Sequence, residues 1–162
     1  MRRIYRYIVV AGGLAVATSM TSTSQTLGLP DYETDPRLLR IKEFFRSFDS
    51  PADELAQDFL LAADRNGLDW RLLPSLALIE SGGGKNYKNN NIFGWASCEL
   101  SFPTVSAGIH HVASRLAHSH LYRDKNLDGI LSTYNPFSDY PKRVKALMGL
   151  LDPDPARPGD GQ

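Results

Sequence analysis

One carboxylate in this chain is out of place for a structural residue. Glu80 closes the run Leu72-Leu73-Pro74-Ser75-Leu76-Ala77-Leu78-Ile79-Glu80, three residues after Ala77, four after Leu76 and seven after Leu73. On a helical period these positions share one face, so Glu80 extends an apolar stripe and does not join a solvated side. The segment Ser81-Gly82-Gly83-Gly84 cannot continue the helix, which leaves the carboxylate at the negative end of the helix dipole. Partial burial and the dipole both disfavour the charged form and raise the pKa, as a general acid near neutral pH requires. The plainer alternative is an exposed glutamate at a frayed helix end, and the local pattern leaves both readings open.

Other groups that could do chemistry carry weaker patterns. His110, His111, His118 and His120 contain no pair at the i, i+4 spacing of a zinc helix, and His-Glu-x-x-His is absent, so no metal site is expected. Cys98 is the one cysteine. It has no partner for a disulfide, and nothing around it resembles the helix N-terminus that would lower a thiol pKa. Asp124-Lys125-Asn126-Leu127-Asp128-Gly129 matches the first half of an EF-hand loop, but the twelfth position is Asn135. The bidentate glutamate is therefore missing, and a polar turn with Asp128 near a helix start is the simpler reading.

The elements that must position Glu80 read as helices. Arg37 to Phe48 places Leu38, Ile41, Phe44, Phe45 and Phe48 at helical spacing. Ser50 caps a second helix with Pro51 at its first position and Asp53 where a capping-box acid would stand. Leu55, Phe59, Ala62 and Ala63 form its stripe, and Gly67 ends it. Asp69 caps a third helix, which tolerates Pro74 near its start. The stretch from Gly82 to Pro103 is non-helical and long for a compact domain, a length that points to function or to a small hairpin lobe. Val105, Ile109, Val112 and Leu116 define a fourth helix, Leu127 to Tyr134 a short fifth, and Tyr140, Val144, Leu147 and Leu151 the last. No run of strands is visible. The expected fold is mainly α, with a small irregular or β-containing lobe.

The chain has 162 residues, 18 basic and 18 acidic side chains and an apolar share of 42%. That supports one globular domain with extensions and excludes a strongly basic nucleic-acid-binding protein. Arg2, Arg3 and Arg6 precede an almost uncharged run from Ile8 to Ala17 that ends in Ala15-Val16-Ala17. This has the form of a signal peptide with an A-x-A cleavage site, or of an uncleaved N-terminal anchor, and either implies export to the periplasm or the extracellular space. Any membrane attachment would run through this segment alone. Removing residues 1–17 takes away three basic side chains and no acidic ones, leaving 15 basic and 18 acidic side chains, a weakly acidic mature chain with no pull toward anionic polymers. Residues 18–34 read as a linker, 35–151 as the domain and the Pro- and Gly-rich 152–162 as a disordered tail.

Three segments then gain meaning from their order: Ile79-Glu80-Ser81-Gly82, Asn91-Ile92-Phe93-Gly94-Trp95 and Ser132-Thr133-Tyr134-Asn135-Pro136. Together they resemble the lysozyme-like catalytic domain of bacterial lytic transglycosylases and endo-β-N-acetylglucosaminidases, over 86 residues from Asn66 to Leu151. The Glu-Ser pair at a helix end resembles the transglycosylase motif that carries the acid. Asn-Ile-Phe-Gly is more similar to the glucosaminidase branch, and Tyr134-Asn135 to the Tyr-Asn motif of transglycosylases. The chain departs from transglycosylases in having Phe-Gly-Trp in place of Gly-Leu-Met-Gln, and Pro136-Phe137 in place of a small residue and glycine.

The resemblance implies a lysozyme-like fold and cleavage of the β-1,4 glycan strands of peptidoglycan between N-acetylmuramic acid and N-acetylglucosamine, with Glu80 protonating the glycosidic oxygen. It implies that Ser81 and Asn91 bind substrate N-acetyl groups or orient Glu80, that Tyr134 donates a hydrogen bond near Glu80, and that Asn135 joins the substrate site. Read as structural residues, Ser81 is a helix-end turn residue, Asn91 a loop residue and Tyr134 a core tyrosine. Hydrolysis usually needs a second carboxylate; Glu99 is the best placed, with Asp139 and Asp128 behind it. Transglycosylases manage with one acid, and the absence of a clear second motif favours that chemistry over a hydrolytic glucosaminidase or muramidase. A non-catalytic glycan-binding module of the same fold is the alternative from another class. A monomer with no cofactor is expected, its partner being the glycan strand.

Overall fold

A computed structural model describes residues 32–152. The expected signal segment, most of the expected linker and nearly all of the expected tail lie outside the described residues. The last part of the linker does not: Tyr32 is buried, and its hydroxyl donates to Asp64 at 3.1 Å. The packed domain thus begins a few residues earlier than the composition suggests.

The protein is mainly helical. Helix α1 is Pro36–Ser47, started by Asp35, whose side chain accepts from the Arg37 N–H at 2.8 Å, with Pro36 in the first turn. It buries Leu38, Ile41, Phe44 and Phe45. The second expected helix divides into a 3-10 turn, Pro51–Leu55, and α2, Ala56–Asn66. Asp53 does not close a capping box, because the Ser50 N–H it would accept from is bonded to the Phe45 carbonyl at 2.9 Å. Its carboxylate takes the Arg46 guanidinium at 2.8 Å instead.

Helix α3, Leu72–Ser81, is buried over much of its circumference, including Leu72, Leu73, Pro74, Ser75, Leu76 and Ala77. It packs against α1, α2 and the last helix, which makes it the central element of the fold. Asp69 turns the chain into it by accepting from the Arg71 N–H at 2.9 Å. Helix α4, Val105–His118, is capped by Thr104 and packs on α2. Helix α5, Leu127–Tyr134, is capped by Asn126, and α6 is Tyr140–Leu150. Phe45 lies 5.2 Å from Phe59, and Phe59 lies 6.3 Å from Phe93, so an aromatic series links α1, α2 and the loop after α3.

That loop, residues 82–104, is irregular. It holds one isolated bridge between Lys88 and Asn91 and a tight turn at Trp95–Cys98 whose inner residues are not right-handed helix, and no strand occurs among the described residues. It lies tight against α4: a Cβ added at Gly108 would come within 2.9 Å of both the Asn90 carbonyl and the Phe102 ring.

The end of α3 is equally tight. Gly82 caps it in the left-handed conformation, and Gly83 follows at φ 65° with its N–H on the Ala77 carbonyl at 3.0 Å. The Ser50 hydroxyl donates to the Gly83 carbonyl at 2.7 Å, and a Cβ on Gly83 would stand 2.0 Å from that hydroxyl oxygen. Gly83→Ala therefore combines left-handed strain with a clash and is expected to cost roughly 2–4 kcal/mol. Gly82→Ala, whose Cβ would meet only Lys85 side-chain atoms at 3.4 Å, is expected to cost about 1 kcal/mol. Urea unfolding of both variants checks the order.

Candidate active site

Glu80 sits in the last turn of α3, half-buried, at a cleft of about 500 Å³. The two oxygens of its carboxyl group have different surroundings. Oε1 accepts a 2.6 Å hydrogen bond from the hydroxyl of Tyr140, the first residue of α6. Oε2 faces Gly94, where an added Cβ would stand 3.5 Å away. Gly94 is left-handed at φ 61°, a conformation that glycine adopts without penalty.

Burial raises the Glu80 pKa above the ordinary glutamate value, and the Tyr140 hydrogen bond and the Arg143 charge oppose that rise. The balance keeps a proton on Glu80 to higher pH than on a free glutamate. Burial, then the hydrogen bond to Glu80, raise the Tyr140 pKa, and burial followed by the Glu80 charge raises that of Tyr134. Both tyrosines therefore remain neutral phenols and serve as donors.

Four aromatic residues, Phe93, Trp95, Tyr122 and Tyr134, are among those that line the cleft. Tyr134 and Tyr140 stack with centroids 5.9 Å apart at 10°. Trp95 lies 5.8 Å from Tyr134 and 6.1 Å from Tyr122, and all three line the cleft. Such ring faces suit the apolar faces of sugars as well as they suit a core.

The structure distributes the expected site residues unevenly. Glu80, Tyr134 and Asn135 meet at the cleft. The Tyr134 hydroxyl, however, donates to the Phe93 carbonyl at 2.7 Å, and the direct bond to Glu80 belongs to Tyr140. Asn135 follows α5, and its side-chain oxygen accepts from the Phe137 N–H at 3.1 Å.

Ser81 and Asn91 are buried and do not line the cleft. The Ser81 hydroxyl donates to the Ala77 carbonyl at 3.1 Å and accepts from the Gly84 N–H at 2.9 Å, fixing the glycine turn. The Asn91 side chain accepts from the Trp95 N–H at 3.0 Å and donates to the carbonyls of Trp95 at 2.9 Å and Leu100 at 3.3 Å. With these bonds made, both act on the site by shaping the loop. Glu99 and Asp139 are exposed and outside the cleft, and Asp128 pairs with Lys145 at 2.7 Å.

The cleft wall carries unusual backbone. Ala96, Ser97 and Cys98 are consecutive left-handed residues, at φ 50°, 56° and 59°. Sequence reasoning missed this turn. It also missed Tyr140, which fits the apolar stripe of α6 and shows its second role only through its hydroxyl. Comparison of the chain with family models, with curated proteins and with solved structures finds no match.

Two outcomes follow from the electrostatics. A glutamate with a raised pKa binds more protons folded than unfolded, so its contribution to stability falls as pH rises from the ordinary glutamate range through the folded pKa. Glu80→Gln removes that loss, and its melting temperature relative to wild type is expected to rise across this window. Thermal melts at a series of pH values check the sign. Tyr140→Phe removes the hydrogen bond that favours the carboxylate, so the Glu80 pKa is expected to move further up; carboxyl titration by NMR reads the direction.

Proposed function

We propose that this protein cleaves peptidoglycan glycan strands as a lysozyme-like lytic transglycosylase, with Glu80 as the general acid and base. The observation that carries the reading is a half-buried carboxyl group with a raised pKa, held by Tyr140 at a cleft walled in part by aromatic rings, in which no second carboxylate stands among the described residues. Hydrolysis would ask for a carboxylate to activate water or attack the sugar. The candidates Glu99, Asp139 and Asp128 all lie outside the cleft lining, which favours one-acid chemistry.

In that chemistry the Glu80 proton passes to the glycosidic oxygen as its bond to the sugar C1 breaks. The oxygen of the substrate's own acetamido group bonds to C1 and stabilises the cation. Glu80, now a carboxylate, takes the proton from the 6-hydroxyl, whose oxygen attacks C1 and releases the acetamido group. Glu80 ends protonated, no water is consumed, and the product is a 1,6-anhydro sugar. Tyr140 holds Oε1 throughout and leaves Oε2 to exchange the proton. Tyr134, tied to the Phe93 carbonyl, fixes the loop against the acid. The basic and then apolar segment from Arg2 to Ala17 supports action outside the cytoplasm.

A digest of purified peptidoglycan, with products resolved by mass spectrometry, tests the reading. Anhydro products, one water lighter than hydrolysis products, are expected from the wild type, and Glu80→Gln is expected to lose about a thousandfold in rate. Reducing-end products would replace the transglycosylase with a hydrolase. Equal turnover by wild type and Glu80→Gln would remove Glu80 from the reaction.

A further inference from the structure

Arg115 lies in the last turn of α4 and, with Glu80, is one of two charged side chains lining the cleft among the described residues. It is exposed, and among the described residues it forms no ion pair. Its charge acts on Tyr122 and lowers that group's pKa against the larger effect of burial, whereas the cation whose charge reaches Glu80 is Arg143. The Arg115 guanidinium shares the cleft with Tyr122 and, among the described residues, is not bonded to Glu80, whose Oε1 takes the Tyr140 hydroxyl. It presents a planar fork of donors to whatever occupies the cleft beside Trp95 and Tyr122.

We propose that Arg115 is a specificity-determining residue that binds a carboxylate carried by the glycan, so that the cleft prefers acidic strands to neutral ones. The inference rests on the glycan-cleaving reading of the same cleft. A neutral sugar offers a guanidinium only ordinary hydrogen bonds, whereas a carboxylate accepts two charge-assisted bonds in parallel. The domain from 35 to 151 carries 14 basic and 13 acidic side chains and, being nearly neutral, supplies little general attraction for such strands, so the selectivity must come from a local cation. Two sources of the carboxylate exist on a peptidoglycan strand. One is the lactyl ether of the muramic sugar, free where the peptide has been removed; the other is the peptide itself. The competing role for Arg115 is a cation that complements the C-terminal end of the α4 dipole.

The test compares wild type, Arg115→Gln and Arg115→Lys on three substrates: chitin oligomers, peptide-free strands and intact strands. The readouts are kcat/KM for each, and calorimetric affinity for each in a Glu80→Gln background. Wild type is expected to prefer the carboxylate-bearing strands, and Arg115→Gln to reduce that preference by about fivefold to tenfold, with Arg115→Lys between them. A reduced preference for peptide-free strands assigns the lactyl carboxylate, and one confined to intact strands assigns the peptide. An unchanged preference, or an equal loss on all three substrates, overturns the proposal and leaves Arg115 its helix-end role. If wild type binds the strands without cutting them, the transglycosylase reading fails while the affinities still decide on Arg115. Binding to none of the three overturns both.

Discussion

The position of Glu80 depends on how α3 stops. The helix is buried over much of its circumference, and it ends where three successive glycines of positive φ, Gly82 to Gly84, turn the chain back. Three bonds fix that turn: the Gly83 N–H on the Ala77 carbonyl, the Ser50 hydroxyl on the Gly83 carbonyl, and the Gly84 N–H on the Ser81 hydroxyl. With the Ser50 oxygen 2.0 Å from where a Cβ would lie, residue 83 has no room for a side chain. One more helical turn would carry the loop away from Glu80; an earlier stop would leave the carboxylate in solvent. The packing around Ser50 and Gly83 therefore fixes where α3 ends, and with it the half-buried place of Glu80 at the cleft.

Opposing effects then hold that group in a useful state. Burial alone would raise the Glu80 pKa further than it stands. The Tyr140 hydrogen bond and the Arg143 charge both favour the carboxylate and limit the rise. Tyr140 can do this only as a neutral phenol, and the Glu80 charge itself helps keep it so. The pair thus divides its roles by environment: the carboxyl group titrates, and the phenol does not.

The helical frame was legible because its signals are local. Ser50 caps the 3-10 turn it precedes, Gly67 and Gly82 end the helices before them, and the apolar stripes fall largely on buried faces. The half-buried place of Glu80 at the end of α3 was legible for the same reason, since its stripe and its stop lie within a dozen residues. The contacts that complete the site are not local. Tyr140 lies 60 positions from Glu80 and opens an ordinary apolar stripe, so only the packing of α6 on α3 reveals its hydroxyl as a partner. Asn91 was legible as polar and near the site but not as a bracket, because its partners Trp95 and Leu100 are backbone groups that present no signal of type or spacing.

That bracket explains how the cleft wall tolerates its backbone. Three consecutive left-handed residues at 96–98 cost about 3–6 kcal/mol together. The three hydrogen bonds of the buried Asn91 side chain recover roughly 1.5–4.5 kcal/mol. The Asn89 amide on the Cys98 carbonyl at 2.9 Å adds a further bond to the same turn. The two sides nearly cancel, so the turn is held by side chains outside it and not by its own preference. The arrangement has a structural consequence for the cleft. Trp95, Ala96 and Ser97 line it from a segment whose shape is set by Asn89 and Asn91, and a loop held from behind can keep its face free for a ligand. An asparagine that binds sugar directly would have to leave those bonds, and the turn would relax as it left.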